Sequence, residues 1–586
     1  MAYILGMNLS HDRSAAIIKN GEVLVAIEEE RLDRIKHTEG FLVQGYFDRL
    51  TKTIPMRSVT YCLETVGIGI DDIDLVVGNR PIGDGAAQRI ANELPIKDKS
   101  KIYQLPMPSH HLAHASVAYH TSPFEDAAVL IVDQAGSRIP GTKHIEKHTV
   151  LVGEGTELRS VGATTYSAPK YPVEYDDMGL GLFYDFFTAK LNFITRWGSP
   201  DFGVFGCGGY PEGGKTMGLA PYGRPRPEWG DWLTFDGLDI TCTPEDLEKI
   251  WADLIATEGH DYDPRQDGSW QHQFAKDVAY KVQDELERAM IYLAGQVHEL
   301  TGKKYLCLGG GVALNSVANQ RIRAESPFED VYIPAPAGDA GCAIGAALWG
   351  YHHLIGGKVR TPMLSASLGR TYSRDTTLEA LKPYEGMLSW RESTPDEVAG
   401  LLAEHHVVGW VVGGSEMGPR ALGNRSILAD PRHPHTRDFL NEVVKHREVF
   451  RPYAPSVLAE HVTDWFDMRG ESPFMLLVPA VKEEKRKLVP AITHTDGTAR
   501  VQTVRQDVNS AYHELISAFH RRTGVPMLLN TSFNDNGEPI VETPADALRT
   551  FYRTDMDHLF LNGLLISKPD HVQHDEHPHH APLAQG

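Results

Sequence analysis

The feature that most restricts the fold of this chain is a pattern that occurs twice in its first third. Each copy is an apolar strand that ends in a polar turn and is followed by a hairpin, over residues 3–30 and again over 127–163. In the first copy, Asn20 and Gly21 stand between the apolar runs AAII and VLVAI, which predicts a two-residue hairpin turn. The repetition predicts an α/β domain built from duplicated halves.

The remaining patterns divide the chain into domains. With 586 residues it is too long for one hydrophobic core, so two or three domains are expected. Apolar residues recur at helical spacing over 272–300, and a linker-like stretch at 354–375 precedes a unit in which helical and strand patterns alternate. We therefore predict a first domain over 1–358, a second α/β domain over 359–568, and a disordered His- and Pro-rich tail over 569–586.

Charge and composition narrow the class of partner. The formal net charge is −21, and affinity for nucleic acid depends largely on neutralising phosphates, so a small-molecule substrate is expected rather than RNA or DNA. No run approaches the roughly 20 apolar residues that span a bilayer, and no membrane association is expected. The five cysteines include no CxxC pair, which favours the reduced cytoplasm. A homodimer is one candidate assembly, because symmetric dimers are the commonest.

Three histidines open an otherwise small and apolar segment. His110 and His114 stand four residues apart, so on a helix they share one face and could hold one metal ion, although core packing explains the same spacing. His111 points elsewhere and is either a substrate contact or a supporting group. Asp133 ends an apolar strand and Asp339 lies in a glycine turn, where carboxylates are costly unless paired or metal-bound. Such a set suits iron(II), manganese or zinc.

Two glycine-rich loops are candidate phosphate contacts. Gly309, Gly310 and Gly311 follow the strand YLCL, and backbone N–H groups there could approach a phosphate at the start of a helix. A tight strand-to-helix turn is an equally good interpretation. The second loop, over 213–223, carries Lys215.

The second unit gathers basic side chains among glycines and prolines. These are Arg420, Arg425, Lys445, Arg447 and Arg451. Arginine suits bidentate binding of phosphate or carboxylate, and a merely solvated basic surface would be served better by lysine-rich helices. Arg500 follows in DGTARVQTV, and Asn530 and Ser532 stand at a strand end. Together these residues predict a site that holds an anion and a nucleotide.

Seven motifs, in this order, resemble the NodU/CmcH family of O-carbamoyltransferases: SHHLAHA, GGKTMGLAPYG, LGGGVALNS, MGPRALGNRSILADPR, FRPYAPS, DGTARVQTV and LLNTSFNDNGEPIV. The resemblance runs from about residue 3 to about residue 570. It implies ATP-dependent transfer of the carbamoyl group of carbamoyl phosphate to a hydroxyl of a natural product, such as an antibiotic sugar or macrolide glycoside. It also implies an ASKHA-type first domain, as in threonylcarbamoyl-tRNA transferases, and a YrdC-like second domain.

The resemblance assigns roles to individual residues. The implied ligands of a divalent metal, iron(II) first, are His110, His114, Asp133 and Asp339. The implied catalytic residues are His11, Arg420, Lys445 and Arg451. The implied cofactor-binding residues, for ATP with Mg²⁺ and for carbamoyl phosphate, are Lys36, Lys215, Gly309, Gly310, Gly311, Asn315, Arg500, Asn530 and Ser532. His11 would take the acceptor's proton and is expected to be largely neutral at cellular pH, although it could instead only cap its turn.

The implied chemistry proceeds through carbamoyl adenylate, which supplies AMP as a good leaving group. The adenylate would form among the arginines and react in the first domain, and we expect both sites to face a shared, water-poor passage. The acceptor wall is expected within 200–270. Three alternatives stay open: a threonylcarbamoyl transferase acting on tRNA, an ASKHA-type small-molecule kinase or ATPase, and a non-catalytic binder. The acidic charge argues against the first, and the second leaves the arginines unexplained.

Overall fold

The structure is a computed structural model in which the chain forms two compact units. It describes residues 2–37, 54–80, 85–169, 175–196 and 209–569. The first unit comprises Met1–Asp33 and His37–Met363, and the second comprises Arg34–Lys36 and Leu364–Gly586. Except for Pro569, the predicted tail lies outside the described residues, as does the part of the predicted acceptor wall over 200–208.

The first unit contains two five-stranded mixed sheets. The strands of the first sheet are β1 (Tyr3–Asn8), β2 (Ser14–Lys19), β3 (Glu22–Glu28), β4 (Leu75–Asn79) and β5 (Ile102–Gln104). The strands of the second are β6 (Asp126–Val132), β7 (His144–Glu154), β8 (Glu157–Ser167), β13 (Tyr305–Gly309) and β14 (Asp330–Tyr332). Two short antiparallel pairs complete the strands of this unit: β9 (Ile194–Arg196) with β10 (Gly209–Pro211), and β11 (Thr234–Asp236) with β12 (Asp239–Thr241).

Both five-stranded sheets have the same topology. Their orders are β3-β2-β1-β4-β5 and β8-β7-β6-β13-β14. In each, the hairpin strands run antiparallel to their neighbours, and the two later strands run parallel to the first. The prediction of duplicated halves is therefore confirmed. The predicted hairpin turn at Asn20 and Gly21 is also present, with φ of 53° and 87°, as a primed turn requires.

Ten helices of the first unit lie within the described residues. They are α1 (Glu29–Asp33), α2 (Met56–Val66), α3 (Ala86–Glu93), α4 (His110–His120), α5 (Leu180–Lys190), α6 (Gly213–Leu219), α7 (Pro244–Thr257), α8 (Gln273–Thr301), α9 (Ser316–Glu325) and α10 (Cys342–Trp349). Helix α8 matches the helical pattern of the sequence. None of the helices in the described part of the chain combines the length and apolar character needed to cross a membrane.

Helix α10 packs closely against both α4 and β1 because glycines face the contacts. A Cβ atom on Gly345 would lie 2.0 Å from the carbonyl oxygen of Ala113, and one on Gly6 would lie 1.9 Å from that of Ala343. Only glycine fits at such a backbone approach. The approach brings the start of α10 next to the start of α4, where the predicted ligands lie.

The second unit is built on an eight-stranded mixed sheet in the order β15-β22-β21-β16-β17-β20-β18-β19. Its strands are β15 (Ser389–Glu392), β16 (Val408–Val411), β17 (Arg425–Ala429), β18 (Ala454–Leu458), β19 (Gln502–Val504), β20 (Met527–Ser532), β21 (His558–Leu561) and β22 (Leu564–Ser567). Its helices are α11 (Arg374–Leu381), α12 (Pro395–Ala403), α13 (Thr436–Phe439), α14 (Val462–Trp465), α15 (Glu483–Arg486), α16 (Ser510–Thr523) and α17 (Pro544–Arg553). Trp410 anchors the core, with its ring stacked on Phe560 at 4.6 Å. Both units are thus α/β, as predicted.

Candidate metal centre and anion site

The turn after β6 fixes the start of α4, the helix that carries His110 and His114. Ser137 Oγ accepts hydrogen bonds from the backbone N–H groups of Ser109, at 3.0 Å, and His110, at 2.9 Å. Asp133 is the first residue after β6 and lies in the same turn. One turn carries both Asp133 and the group that caps α4. The predicted carboxylate and the predicted histidines are therefore fixed in position relative to one another.

The structure brings the four predicted metal ligands together. His110 Nε2 lies 2.8 Å from Asp133 Oδ2 and 3.3 Å from Asp339 Oδ1. His114 Nε2 lies 3.4 Å and 3.5 Å from the same two oxygens. All four side chains are buried. Converging imidazole nitrogens and carboxylate oxygens are a donor set for a first-row divalent metal, as expected from the sequence.

The charges of this cluster fit a divalent cation. Burial by itself would lower the pKa of His110, but Asp339 and Asp133 outweigh it and raise that pKa well above its usual value. Burial would also lower the pKa of His114, but neighbouring groups, Cys342 foremost, raise that pKa well above its usual value. Burial would raise the pKa of Asp133 and of Asp339, but the histidines hold both well below the usual range. The two buried carboxylates therefore favour positive charge at this point, and a bound dication can supply it.

Neighbouring groups orient the two carboxylates. Ser10 Oγ donates to Asp339 Oδ2 at 2.5 Å, and the side-chain amide of Asn8 donates to the backbone carbonyl of Asp339 at 2.9 Å. The backbone N–H of Gly311 donates to Asp133 Oδ1 at 2.9 Å. Each carboxylate thus keeps its other oxygen for the histidines. Such supporting contacts fix ligand geometry in metal sites.

The structure adds one residue to the cluster and places His111 on another face, as the sequence suggests. Cys342, at the start of α10, is buried and forms a further possible metal-holding group with His110 and His114, within 4.8 Å. The scattered cysteines do not predict this, and the only local signal is the position of Cys342 three residues after Asp339. His111 lies on another face, where its Nδ1 is 2.7 Å from Thr149 Oγ1 and 3.9 Å from Glu146 Oε1. It packs against β7 as a supporting group.

His11 lies beside the metal ligands, in the turn after β1. Its Nε2 is 3.4 Å from Asp339 Oδ2, and its Nδ1 is 3.2 Å from Asp12 Oδ2. Burial lowers the pKa of His11, but Asp339 and Asp12 more than offset it and raise the pKa to about 9. The expectation of a largely neutral ring is therefore wrong for the metal-free protein, because two carboxylates face the imidazole.

The glycine loop is adjacent to Asp133. Gly310 has φ of 92°, and a Cβ there would lie 2.2 Å from the Val132 carbonyl oxygen. Asn315 caps α9 through Oδ1, which accepts from the Ala318 N–H at 3.1 Å. Lys215 Nζ lies 3.7 Å from Glu212 Oε1 at the start of α6. The nucleotide roles of the loop, Asn315 and Lys215 stay predictions.

In the second unit, half-buried arginines lie close to one another. Burial and Arg451 lower the pKa of Arg420 to about 10. Burial, Arg420, Arg447 and Arg451 hold the pKa of Arg500 well below its usual value. The buried Nε atoms of Arg420 and Arg500 have no hydrogen-bond partner among the described residues. A buried cation is costly unless an anion pairs with it, so this cluster is suited to hold one.

Lys445 brings further predicted residues to the same cluster. Its Nζ donates to the carbonyl oxygens of Ser532, at 2.8 Å, and Asn534, at 2.6 Å. Burial lowers the pKa of Lys445 well below its usual value, and Arg447, Arg451 and Lys36 lower it further. Lys36 therefore lies near the basic cluster.

Two more residues of the second unit have defined contacts. The side-chain amide of Asn530 donates to the carbonyl oxygen of Ala421 at 3.2 Å, which places Asn530 beside the segment of Arg420. Arg425, in contrast, donates to the carbonyl oxygens of Gly413, at 3.0 Å, and Glu542, at 3.1 Å. Its Nε and Nη1 thus hold the backbone around β17, while its buried Nη2 has no partner among the described residues.

Comparison with known proteins identifies both units. Residues 3–93 and 85–348 match the family model described as Carbamoyltransferase N-terminus, and residues 399–568 match Carbamoyltransferase C-terminus. Nodulation protein NolNO of Sinorhizobium fredii is 36% identical over 95% of this chain and 79% of its own length. Nodulation protein NolO of Bradyrhizobium diazoefficiens is 37% identical over 78% of this chain and 79% of its own. Among solved structures, full-length HypF in its phosphate- and nucleotide-bound form is 13% identical, with TM-score 0.33, over 59% of this chain and 55% of its own.

Proposed function

The chain belongs to the carbamoyltransferase family, and we propose that it moves the carbamoyl group of carbamoyl phosphate, through carbamoyl adenylate, to a hydroxyl of a natural product. The proposed acceptor class is an antibiotic sugar or a macrolide glycoside, and ATP with Mg²⁺ is the proposed co-substrate. The observation that carries the proposal is a pair of half-buried arginines, Arg420 and Arg500, whose buried Nε atoms have no hydrogen-bond partner among the described residues.

The basic cluster suits the first half of this reaction. Carbamoyl phosphate and ATP are both anions, and bringing them together costs Coulomb energy that fixed cations offset. Arg420, Arg451 and Lys445 would bind the reacting groups, while Arg500 would hold ATP phosphates. Cations held in place before the reaction also stabilise the charge that grows in the transition state. Lys36, Asn530 and Ser532 are proposed to contact the same two substrates.

The histidine–carboxylate cluster suits the second half. We assign His110, His114, Asp133 and Asp339 as the ligands of a divalent metal, with iron(II) first and manganese or zinc as alternatives. Bound there, the metal would supply Lewis-acid polarisation of the carbonyl group. Gly309, Gly310, Gly311, Asn315 and Lys215 are the proposed nucleotide contacts. His11 is the proposed base, taking the proton of the acceptor hydroxyl.

The fold types of the two units, the location, the assembly and the acceptor class are proposed together with this function. The duplicated sheets support an ASKHA-type first unit. A YrdC-like second unit, a cytoplasmic location and a homodimer are proposed with it. The net charge of −21 favours a small-molecule acceptor over tRNA.

The decisive experiment incubates purified protein with ATP, ¹³C-labelled carbamoyl phosphate and a panel of hydroxylated metabolites. Mass spectrometry should find one labelled carbamoyl group on an acceptor, together with AMP and pyrophosphate. Release of ADP with a phosphorylated product would instead identify a kinase. Omitting carbamoyl phosphate is the matched control, and AMP formation should then stop.

A further inference from the structure

A carboxylate bridges two histidines beside the metal cluster. Asp12 Oδ2 lies 3.2 Å from His11 Nδ1, and Asp12 Oδ1 lies 2.8 Å from His37 Nδ1. All three side chains are about three-quarters or more buried, with exposed fractions of 24%, 25% and 20% for His11, Asp12 and His37. Each oxygen of Asp12 therefore faces one imidazole nitrogen.

The backbone is held in an unusual conformation at both supporting residues. Asp12 has φ of 51° and His37 has φ of 59°, a left-handed backbone conformation that residues other than glycine adopt infrequently. The N–H of His37 donates to Glu30 Oε2 at 2.8 Å, which helps to hold that conformation. Residues kept in such conformations by their surroundings concentrate at functional sites.

A tyrosine packs against both histidines. The ring centroid of Tyr210 lies 5.5 Å from that of His11 and 4.8 Å from that of His37. The His11 ring is thus confined by Tyr210 and by Asp12. Its remaining nitrogen, Nε2, points toward Asp339, at 3.4 Å from Oδ2.

We propose that Asp12 and His37 are positioning residues for His11, an inference that rests on the proposed function. Asp12 accepts the Nδ1–H of His11 and so keeps the lone pair on Nε2, the atom that faces the metal ligands. His37 donates to the other oxygen of Asp12 and holds that carboxylate in place. A carboxylate that fixes the tautomer and orientation of a histidine base performs this task in serine hydrolases.

These residues support the transfer of the carbamoyl group from the adenylate to the acceptor hydroxyl. The acceptor oxygen forms a bond to the carbamoyl carbon, and the bond from that carbon to the AMP oxygen breaks. AMP leaves with the electron pair, and the acceptor proton moves to His11 Nε2. Asp12 takes no proton; it stabilises the imidazolium that forms.

Substitutions that tolerate the local backbone conformation test this arrangement. Asparagine and aspartate both tolerate the left-handed conformation, so Asp12→Asn, His37→Asn and His37→Asp preserve the local fold. The amide of His37→Asn can still donate to Asp12, whereas the carboxylate of His37→Asp cannot. The last two variants are equal in size: the first keeps a donor to Asp12, and the second removes the donor and places a like charge against Asp12.

The measurement separates the two halves of the reaction for each purified full-length variant. Carbamoyl-phosphate-dependent release of AMP and pyrophosphate reports the adenylate-forming half, and transfer of ¹³C-carbamoyl to the metabolite panel reports the second half. Asp12→Asn should lower kcat for transfer by about 10³- to 10⁴-fold, with little change in the KM of ATP. His37→Asp should lose about 10²-fold, and His37→Asn less than about tenfold. The solvent deuterium isotope effect on transfer should rise in Asp12→Asn, because proton removal becomes limiting.

Failure of the proposed function and failure of the positioning roles give different results. If the wild-type protein forms no AMP and transfers no label, the proposed function fails and the inference fails with it. If the wild type transfers label and Asp12→Asn transfers it equally fast, Asp12 does not position the base. Equal losses in His37→Asn and His37→Asp would show that the hydrogen bond to Asp12 is not what His37 contributes.

Discussion

The backbone N–H of Gly311 donates a hydrogen bond to Asp133 Oδ1 at 2.9 Å, so the glycine loop directly orients a carboxylate of the candidate metal site. A Cβ atom on Gly311 would itself lie 2.9 Å from that oxygen. The loop and the metal ligands therefore behave as one unit. A change in the loop should therefore alter the affinity of the site for a metal ion.

Substitution of Gly311 by alanine should weaken metal binding while the fold survives. The added methyl group displaces the Asp133 carboxylate, and loss of such a supporting contact typically costs about tenfold to 100-fold in affinity. Titration of the apoprotein with Co²⁺ measures this. Gly310→Ala is the comparison: at φ of 92° and 2.2 Å from a carbonyl oxygen, it should reduce the free energy of unfolding by about 2 kcal/mol or more. Unchanged Co²⁺ affinity in Gly311→Ala would contradict the coupling.

Metal affinity should increase with pH. In the metal-free protein the pKa values of His110 and His114 are raised well above the usual value, so protons compete with a metal for these rings. A dication must displace these protons, and affinity rises until the pH exceeds the raised pKa values. Calorimetry in buffers of different ionisation enthalpy should detect proton release on Co²⁺ binding at pH 7. Binding without proton release would mean that His110 and His114 are already neutral in the metal-free protein, against the raised pKa values.

Removal of one ligand should separate the two halves of the reaction. Asp339→Asn keeps the shape of the side chain but removes a charge that faces His110 and His114. Metal content, measured by elemental analysis, should fall strongly, and carbamoyl transfer should stop. Release of AMP in the presence of carbamoyl phosphate should continue, because the basic cluster of the second unit is intact. Loss of AMP release as well would place adenylate formation at the metal site.

Replacement of a basic-cluster arginine should stabilise the ligand-free protein. Arg500 lies among other cations, and its buried Nε has no partner among the described residues, so Arg500→Met should raise the free energy of unfolding by on the order of 1 kcal/mol. ATP binding should be lost at the same time. Denaturation in urea measures the first effect, and calorimetric titration with ATP measures the second.

Arg425→Met is the matched control for Arg500→Met. Arg425 is fully buried, whereas Arg500 is half-buried, and the Arg425 guanidinium donates to the carbonyl oxygens of Gly413 and Glu542. Its removal leaves those oxygens unsatisfied and should lower stability by about 1–3 kcal/mol. A stabilised Arg425→Met, or a destabilised Arg500→Met, would contradict the distinction between structural and ligand-binding arginines.

Several elements of the fold could be predicted because their signal is local. The turn at Asn20 and Gly21, the long helix α8, and the strand and helix patterns of the second unit depend on spacing and turn chemistry that neighbouring residues supply. Duplication was visible for the same reason, since each half repeats a strand, a polar turn and a hairpin. Strand β17 was missed because its residues lie in a motif dominated by glycine and arginine.

Sequence alone determined the α/β class, the duplicated first unit and the identity of the residues that converge, since those follow from periodicity and from motifs carried along the chain. Only the tertiary structure decided that Cys342 joins the histidines, that His111 faces β7, that Arg425 serves the backbone, and that His11 is charged without metal. The physical reason is distance. The pKa and the available partners of a side chain depend on groups far away in sequence, and only packing brings them within a few ångströms.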